Sequence, residues 1–291
     1  MTTLSNRTLV VYAQVGNKRS KLVCQALAEG ARRMGAQVRV EASHAYTTPD
    51  ADIAAFYGLA GNLRDARAAY SVDGHHAVFA DLGYWGRSKN AAVSYHRIAV
   101  DAAHPRSFRR DRPPDRLARL SLTVRSAKPA GGHILLCGQS SKAAWAAGMA
   151  GIEFESWERQ AVAELRQSTS RPILYRPKPS AIAPYPRAID GTVLVDAAKP
   201  IDYHLDDAWC VVSHHSNAGL DALAYGIPIF AADGPALALG SSDLSQIEHP
   251  RRYSADERDQ LFADLAYCQG TLPEMAFGEM WAQLVDDGAL Q

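Results

Sequence analysis

Apolar residues recur along this chain in short runs separated by amphipathic stretches, the rhythm of alternating strands and helices. Thr8 to Ala13 is β-branched and apolar, which predicts a strand. Val15-Gly16-Asn17-Lys18 predicts a turn, and Ser20 to Met34 a helix with Leu22, Val23, Leu27 and Ala31 on one face. Gln37 to Glu41 alternates as a second strand and completes a βαβ opening. Asp52 to Leu59 predicts a further short element, and His75 to Asp81 a third strand that ends on a carboxylate.

From Pro105 to Pro129 the pattern changes to a Pro- and Arg-rich stretch, read as a linker or exposed loop with a short helix at Asp115 to Leu120. Gly131-Gly132 restarts the α/β rhythm. A strand is predicted at His133 to Cys137, a helix at Ser156 to Gln167, and strands at Pro172 to Tyr175 and Thr192 to Val195. Then come a short buried strand at Val211-Val212, a polar loop from Ser213 to Gly219 and a helix from Leu220 to Tyr225, closed by Gly226. Ile229 to Ala232 is the last apolar run, and Ala255 to Asp286 reads as a helical tail with polar breaks. The boundary falls near 125–132. The expected domains are residues 1–128 and residues 129–291, the second including the tail. Both read as Rossmann-like, giving an α/β fold.

Composition adds bounds. At 291 residues and 47% hydrophobic, the chain has enough apolar mass for one large core or two modest ones. Lys+Arg and Asp+Glu balance at 31 each, so global charge selects no partner. The four cysteines (Cys24, Cys137, Cys210 and Cys268) are far apart and form no Cys-x-x-Cys, so reduced core thiols are expected. No apolar run reaches the roughly 18–20 residues needed to cross a bilayer, and the N-terminus lacks a signal-peptide layout. A soluble, cytoplasmic protein with no membrane partner is the expectation.

The densest chemistry lies between residues 209 and 232. A strand running into a helix aims unpaired N–H groups at one point, which suits a phosphate. There Ser213, His215, Ser216 and Asn217 offer side-chain donors, Ala218 and Gly219 let the backbone come close, and Asp221 can accept from sugar hydroxyls. The same residues also fit an ordinary capped helix. Arg176 and Lys178, set between prolines directly after a strand, put two cations where ligands bind in open α/β sheets. Gly138, Gln139 and Ser140 form a third polar strand-end loop.

The first half would then supply the acceptor site. Asp81 at a strand end is the first candidate for a general base and His96 the second. Tyr84 and Trp85, flanked by glycines and followed by Arg87, offer aromatic faces for stacking, and Gly16, Asn17 and Lys18 belong on the same edge. The histidine pairs His75-His76 and His214-His215 point to opposite faces of a strand, so no metal site is expected. Between Arg106 and Lys128, eight cations stand against Asp111 and Asp115. Arg106, Arg109, Arg110 and Arg112 lead this patch. It suits a polyanion, and a solvated loop fits equally well.

The pattern Ser216-Asn217-x-x-x-Asp221-Ala222-Leu223-x-x-Gly226-x-Pro228 resembles the nucleotide-sugar loop of GT-B glycosyltransferases. Arg176-Pro177-Lys178-Pro179 resembles the Arg-Pro-His-Pro of their capsule and lipopolysaccharide types. Asp243 to Pro250, Leu265 to Gln269 and Glu274-Met275, together with Asp81 to Arg97, look like small phage-encoded glycosyltransferases, with a departure at Gly270, where an aromatic is usual. The resemblance implies two Rossmann-like domains facing across a cleft, a nucleotide-diphosphate sugar (a UDP-sugar as first guess) as co-substrate, and no permanently bound cofactor. It assigns Ser216, Asn217 and Asp221 to the donor, and Glu248 and Gln269 to lining the cleft or bracing the tail. Because some phage enzymes of this fold glucosylate DNA, the preferred acceptor is a 5-hydroxymethylpyrimidine such as 5-hydroxymethylcytosine in double-stranded DNA, flipped out onto Tyr84 or Trp85. The alternatives are a Kdo-transferase-like capsule or polysaccharide enzyme, and a non-catalytic nucleotide or nucleic-acid binding protein.

Overall fold

The computed structural model describes residues 4–59, 61–72, 74–120, 122–127, 131–139, 156–178 and 188–291. The chain divides into two compact units, Met1–Leu122 with Phe262–Gln291, and Thr123–Leu261.

The first unit is built on a six-stranded sheet. Strands β1 (Thr8–Ala13), β2 (Gln37–Ala42), β3 (Ile53–Tyr57) and β4 (His76–Leu82) run parallel in the order β2-β1-β3-β4. The inner strands are apolar almost throughout because both their faces are covered, whereas β2 at the edge keeps Arg39 and Glu41 paired in solvent. Helix α1 (Lys18–Arg33) starts where the Asn17 side chain accepts the Ser20 N–H. It buries Val23, Cys24, Leu27, Ala28 and Ala31 against the sheet. Leu22, expected on that face, lies one position out of the stripe and points to solvent.

Two strands were not anticipated. β5 (His96–Val100) runs antiparallel beside β4, and the two-residue β11 (Gln269–Gly270) pairs antiparallel with β5. The tail expected in the second half therefore belongs to the first unit. Helix α8 (Leu272–Phe277) crosses α1 so closely that a Cβ on Gly30 would lie 1.9 Å from the Met275 carbonyl oxygen. From α9 (Glu279–Asp286), Trp281 Nε1 donates to the Leu27 carbonyl at 2.9 Å, and Met280 packs against Gly270, which leaves no room for the aromatic usual there.

The second unit carries five parallel strands: β6 (His133–Cys137), β7 (Ile173–Arg176), β8 (Val193–Leu194), β9 (Ala208–Ser213) and β10 (Ile229–Ala231). Their order is β10-β9-β6-β7-β8, so the chain grows outward to one side of β6 and then to the other, as in a mononucleotide-binding Rossmann half. Helix α4 (Ser156–Ser168) buries Ala161, Val162 and Leu165 on a core of Ile134, Leu136, Tyr175, Val212 and Phe230. Helices α5 (Ile201–Leu205) and α6 (Ala218–Ala224) lead into and out of β9. α7 (Ala255–Ala266) carries the chain out of this unit. Glu248 accepts from Thr169 Oγ1 and from Arg171 Nε at 3.0 Å, which makes it a brace within this unit. All four cysteines are free and buried.

Candidate functional site

In the second unit the strand order reverses between β6 and β9. At such a reversal, loops leaving adjacent strands turn apart, and ligands bind in the crevice at the carboxyl ends of the strands. Cys137 and Ser213 are register partners, so Gly138-Gln139 and His214–Ser216 leave adjacent strand ends. Ser213 is fully buried, and among the described residues its Oγ has no hydrogen-bond partner. His214 and His215 approach Nδ1 to Nδ1 at 2.8 Å, and Trp157 meets His214 edge-on with centroids 5.3 Å apart. Burial lowers the His214 pKa. Ser213, Val212 and Phe230 also line a cavity of about 190 Å³ with Trp157, Gln160 and Leu244. Burial pushes the Cys137 thiol up to about 12, which leaves it inert as a nucleophile.

The loop after β9 differs in detail from expectation. Ser216 Oγ accepts the Ala218 N–H at 3.2 Å and so caps α6, whereas the Asn217 side chain makes no cap bond. Asp221 sits in the first turn, half-buried, and Ala218 is buried. Gly219 is explained by packing. A Cβ there would meet Ala236 Cβ at 2.7 Å and Ile229 Cδ1 at 3.2 Å, so its missing side chain serves the helix–strand contact and does not open a path for a phosphate. Gly138 is likewise pressed on Tyr175, whose hydroxyl would lie 2.9 Å from an added Cβ.

Two other donor-site expectations are altered by hydrogen bonds. Arg176 Nη2 donates to the carbonyls of Ala197 at 3.2 Å and Lys199 at 3.0 Å, so the guanidinium anchors the segment after β8. Lys178 lies half-buried just beyond it. The Gln139 N–H, counted as a phosphate donor, is taken by Glu158 Oε1 at 2.8 Å. Sequence reading missed Glu158, a fully buried carboxylate in the first turn of α4. Ser140 lies outside the described residues.

The first unit has its own reversal, between β1 and β3. After β1, Gln14 Nε2 donates to the Tyr57 carbonyl at 2.6 Å and Asn17 Nδ2 to Gln14 Oε1 at 3.2 Å. Gly16 turns with a φ of +78° facing open space, and Lys18 opens α1 exposed. On the same edge, Asp81 near the end of β4 accepts from Arg97 Nη2 at 3.2 Å and from the Leu82 N–H at 2.8 Å, and stays half-buried. His96 is the register partner of Leu82. It is fully buried, meets Tyr57 edge-on at 5.9 Å, and among the described residues neither ring nitrogen has a hydrogen-bond partner. Burial, helped by the Arg19 charge and opposed by Asp81, pushes its pKa down to about 4, so the ring is neutral at pH 7. Burial also raises Tyr57 to about 12. Arg19 donates to the carbonyls of Ser88 at 2.6 Å and Lys89 at 2.8 Å, holding the following loop onto α1. The structure thus gathers Asp81 and His96 with Gln14, Tyr57 and Arg97, which sequence reading did not pick out as a group.

The stacking and polyanion expectations are corrected. Tyr84 is 1% and Trp85 8% exposed. Tyr84 lies parallel to His104 and Trp85 packs edge-on against Phe262 at 5.2 Å, so neither offers a face to a base or sugar. Arg112 is buried with Asp287 at 2.6 Å, Arg116 is buried with Glu274 at 2.8 Å, and Arg110 faces Asp264 at 3.9 Å. Arg110, Arg112 and Arg116 of the Pro/Arg-rich stretch thus answer acids of the tail, which sequence spacing alone could not reveal. Arg87, Arg106 and Arg109 remain exposed.

No family model matches the chain, and no curated protein matches it. Among solved structures, KpsC of Thermosulfurimonas dismutans, described as a beta Kdo 2,4 transferase, is similar with a TM-score of 0.52 and 13% identity over 90% of each chain. The beta Kdo 2,7 transferase of the same organism's KpsC aligns with a TM-score of 0.49 and 13% identity over 94% of this chain and 99% of that one. The fold is GT-B. That likeness extends to architecture alone. The candidate site of the second unit falls at its topological reversal, at the carboxyl ends of β6 and β9, and that of the first unit lies at the carboxyl end of β4, beside the reversal between β1 and β3. Among the described residues, no helix is long and apolar enough to cross a membrane, and no group of three His, Cys, Asp or Glu could hold a metal.

Proposed function

We propose that this chain is a glycosyltransferase that moves a sugar from a nucleotide sugar to a hydroxyl of a glycan acceptor. The observation that carries the reading is the concentration of polar groups at two strand-end sites: Ser213 to Ser216 with Asp221 at the reversal of one unit, and in the other Asp81 on β4 and His96 on β5, gathered with Gln14 and Tyr57 from the strands that flank its reversal. The GT-B fold and the Kdo-transferase likeness support a nucleotide-activated donor, and UDP-sugars and activated Kdo are the first to test. Such donors belong to the cytoplasm.

In this reading Asp81 takes the proton of the attacking hydroxyl as the new glycosidic bond forms. The sugar–phosphate bond breaks, and the nucleotide leaves with the electron pair, received at the loop after β9. Arg97 holds the Asp81 carboxylate in place. His96, neutral and buried, shapes the site beneath it and contacts Tyr57.

A glycan acceptor is favoured over a hydroxymethylated base in DNA. The DNA reading relied on Tyr84 and Trp85 as stacking faces, which are buried, and on a free basic stretch, of which Arg112 and Arg116 are buried in ion pairs while Arg106 and Arg109 stay exposed. The test offers a panel of radiolabelled nucleotide sugars with glycan acceptors and, in parallel, with hydroxymethylcytosine DNA. Label on a glycan, lost in Asp81→Asn without loss of nucleotide binding, is the expected result. Label on DNA alone would restore the DNA acceptor. Nucleotide binding with no transfer from any donor would make the chain a binding protein.

A further inference from the structure

We propose that the outer surface formed by α1, the turn at Ala91–Val93 and α8 rests on an anionic membrane surface. The three elements pack against one another, and each turns one apolar side chain outward. Leu22 is 43%, Val93 62% and Phe277 66% exposed. All three belong to the first unit, and the reaction proposed above plays no part in the inference.

The charges around these residues are predominantly positive, with Glu29 and Glu279 exposed among them. Helix α1 carries Lys18, Arg19, Lys21, Arg32 and Arg33 against a single acid, Glu29, in a chain whose charges balance overall. The Arg33 guanidinium lies 5.3 Å from the centre of the Phe277 ring, and its Nη2 pairs with Glu29 Oε1 at 3.5 Å. Arg19 grips the Ser88 and Lys89 carbonyls, which brings the exposed Lys89 to the start of the same helix. Apolar side chains that enter the boundary between headgroups and acyl chains, set among Lys and Arg at headgroup level, are what an anionic bilayer surface holds. Scattered apolar points among lysines fit a protein partner poorly, because protein interface cores are depleted in lysine. This is a helix lying on a bilayer surface, not one crossing it.

The experiment is flotation of the full chain with vesicles of phosphatidylcholine alone and of phosphatidylcholine with phosphatidylglycerol, at low and high salt. The folded protein is expected to float with the anionic vesicles and not with the neutral ones, and to be released by salt. Leu22→Ser with Val93→Ser and Phe277→Ser, and separately Lys21→Gln with Lys89→Gln, should each weaken vesicle binding by roughly tenfold or more. A thermal melt checks that both variants fold. Absence of binding to anionic vesicles would overturn the proposal. So would binding that both folded variants retain, or a wild-type dimer that the apolar variant dissociates, since the face would then be covered by a second copy.

Discussion

Gln269 Oε1 accepts the backbone N–H of Tyr84 at 2.6 Å and also that of Trp85 at 3.2 Å, while its Nε2 faces the Trp85 carbonyl at 3.5 Å. One buried carboxamide from the tail thus satisfies the turn that leaves β4 just after Asp81, and a Cβ on Gly83 would come within 2.8 Å of it. The tail completes the candidate acceptor edge from behind. Gln269→Leu leaves two buried N–H groups without an acceptor and should cost roughly 2–4 kcal/mol. Urea denaturation measures it, and a loss below about 0.5 kcal/mol would refute the clamp.

Arg112 and Asp287 make a second tail contact of this kind, at 2.6 Å with both side chains 8% exposed. Arg112 also gives its backbone N–H to Asp264 Oδ1 at 2.9 Å. Removing one partner of a buried pair strands the other charge, so Arg112→Ala should destabilise by about 3–5 kcal/mol. If the arginine instead served a polyanion, Arg112→Ala would leave the melting temperature unchanged and weaken binding to heparin or DNA.

The alternation of apolar runs and amphipathic helices was enough to read a doubly wound α/β chain, because period and strand-end chemistry are local properties. Thr8–Ala13 and His133–Cys137 stand where the pattern put them, whereas the strand expected at Val211-Val212 extends over Ala208–Ser213 and the helix expected from Leu220 begins at Ala218. What stayed hidden depends on partners distant in sequence. The β11 strand has two residues and exists only because β5 offers it an edge. Tyr84 and Trp85 carry the same letters whether they face solvent or Phe262. Gly219 looks like a phosphate-loop glycine until Ala236 is placed against it. The pairing of Arg112 with Asp287 spans most of the chain, and no local signal announces it.

His96 ties stability to pH. The unfolded ring takes up a proton near 6.5, its ordinary value, whereas the folded ring resists until about 4. Between those values the unfolded state binds more protons, so stability is full above pH 6.5 and declines as pH falls towards 4. A shift of this size corresponds to a loss on the order of 3 kcal/mol across that window. His96→Leu removes the titrating group and, with it, two unpartnered buried nitrogens. Urea midpoints at pH 7.5 and 4.5 should therefore differ less in the variant than in the wild type. Equal differences would show that other groups carry the acid sensitivity.

Ser213 separates a ligand role from a packing role most cleanly. Its Oγ is buried without a partner at the end of β9, beside the cavity lined by Trp157 and Phe230. A hydroxyl that serves only the core gains from removal, because an unpartnered buried polar group costs about 1–3 kcal/mol. Ser213→Ala should then be neutral or stabilising in urea, and nucleotide affinity by calorimetry would be unchanged. If the hydroxyl instead meets the donor, affinity should fall by about tenfold, the equivalent of one hydrogen bond of ~1.4 kcal/mol, while stability without nucleotide holds or rises. The proposed donor site predicts the second pattern. Unchanged affinity in a folded Ser213→Ala protein would move the nucleotide away from the end of β9.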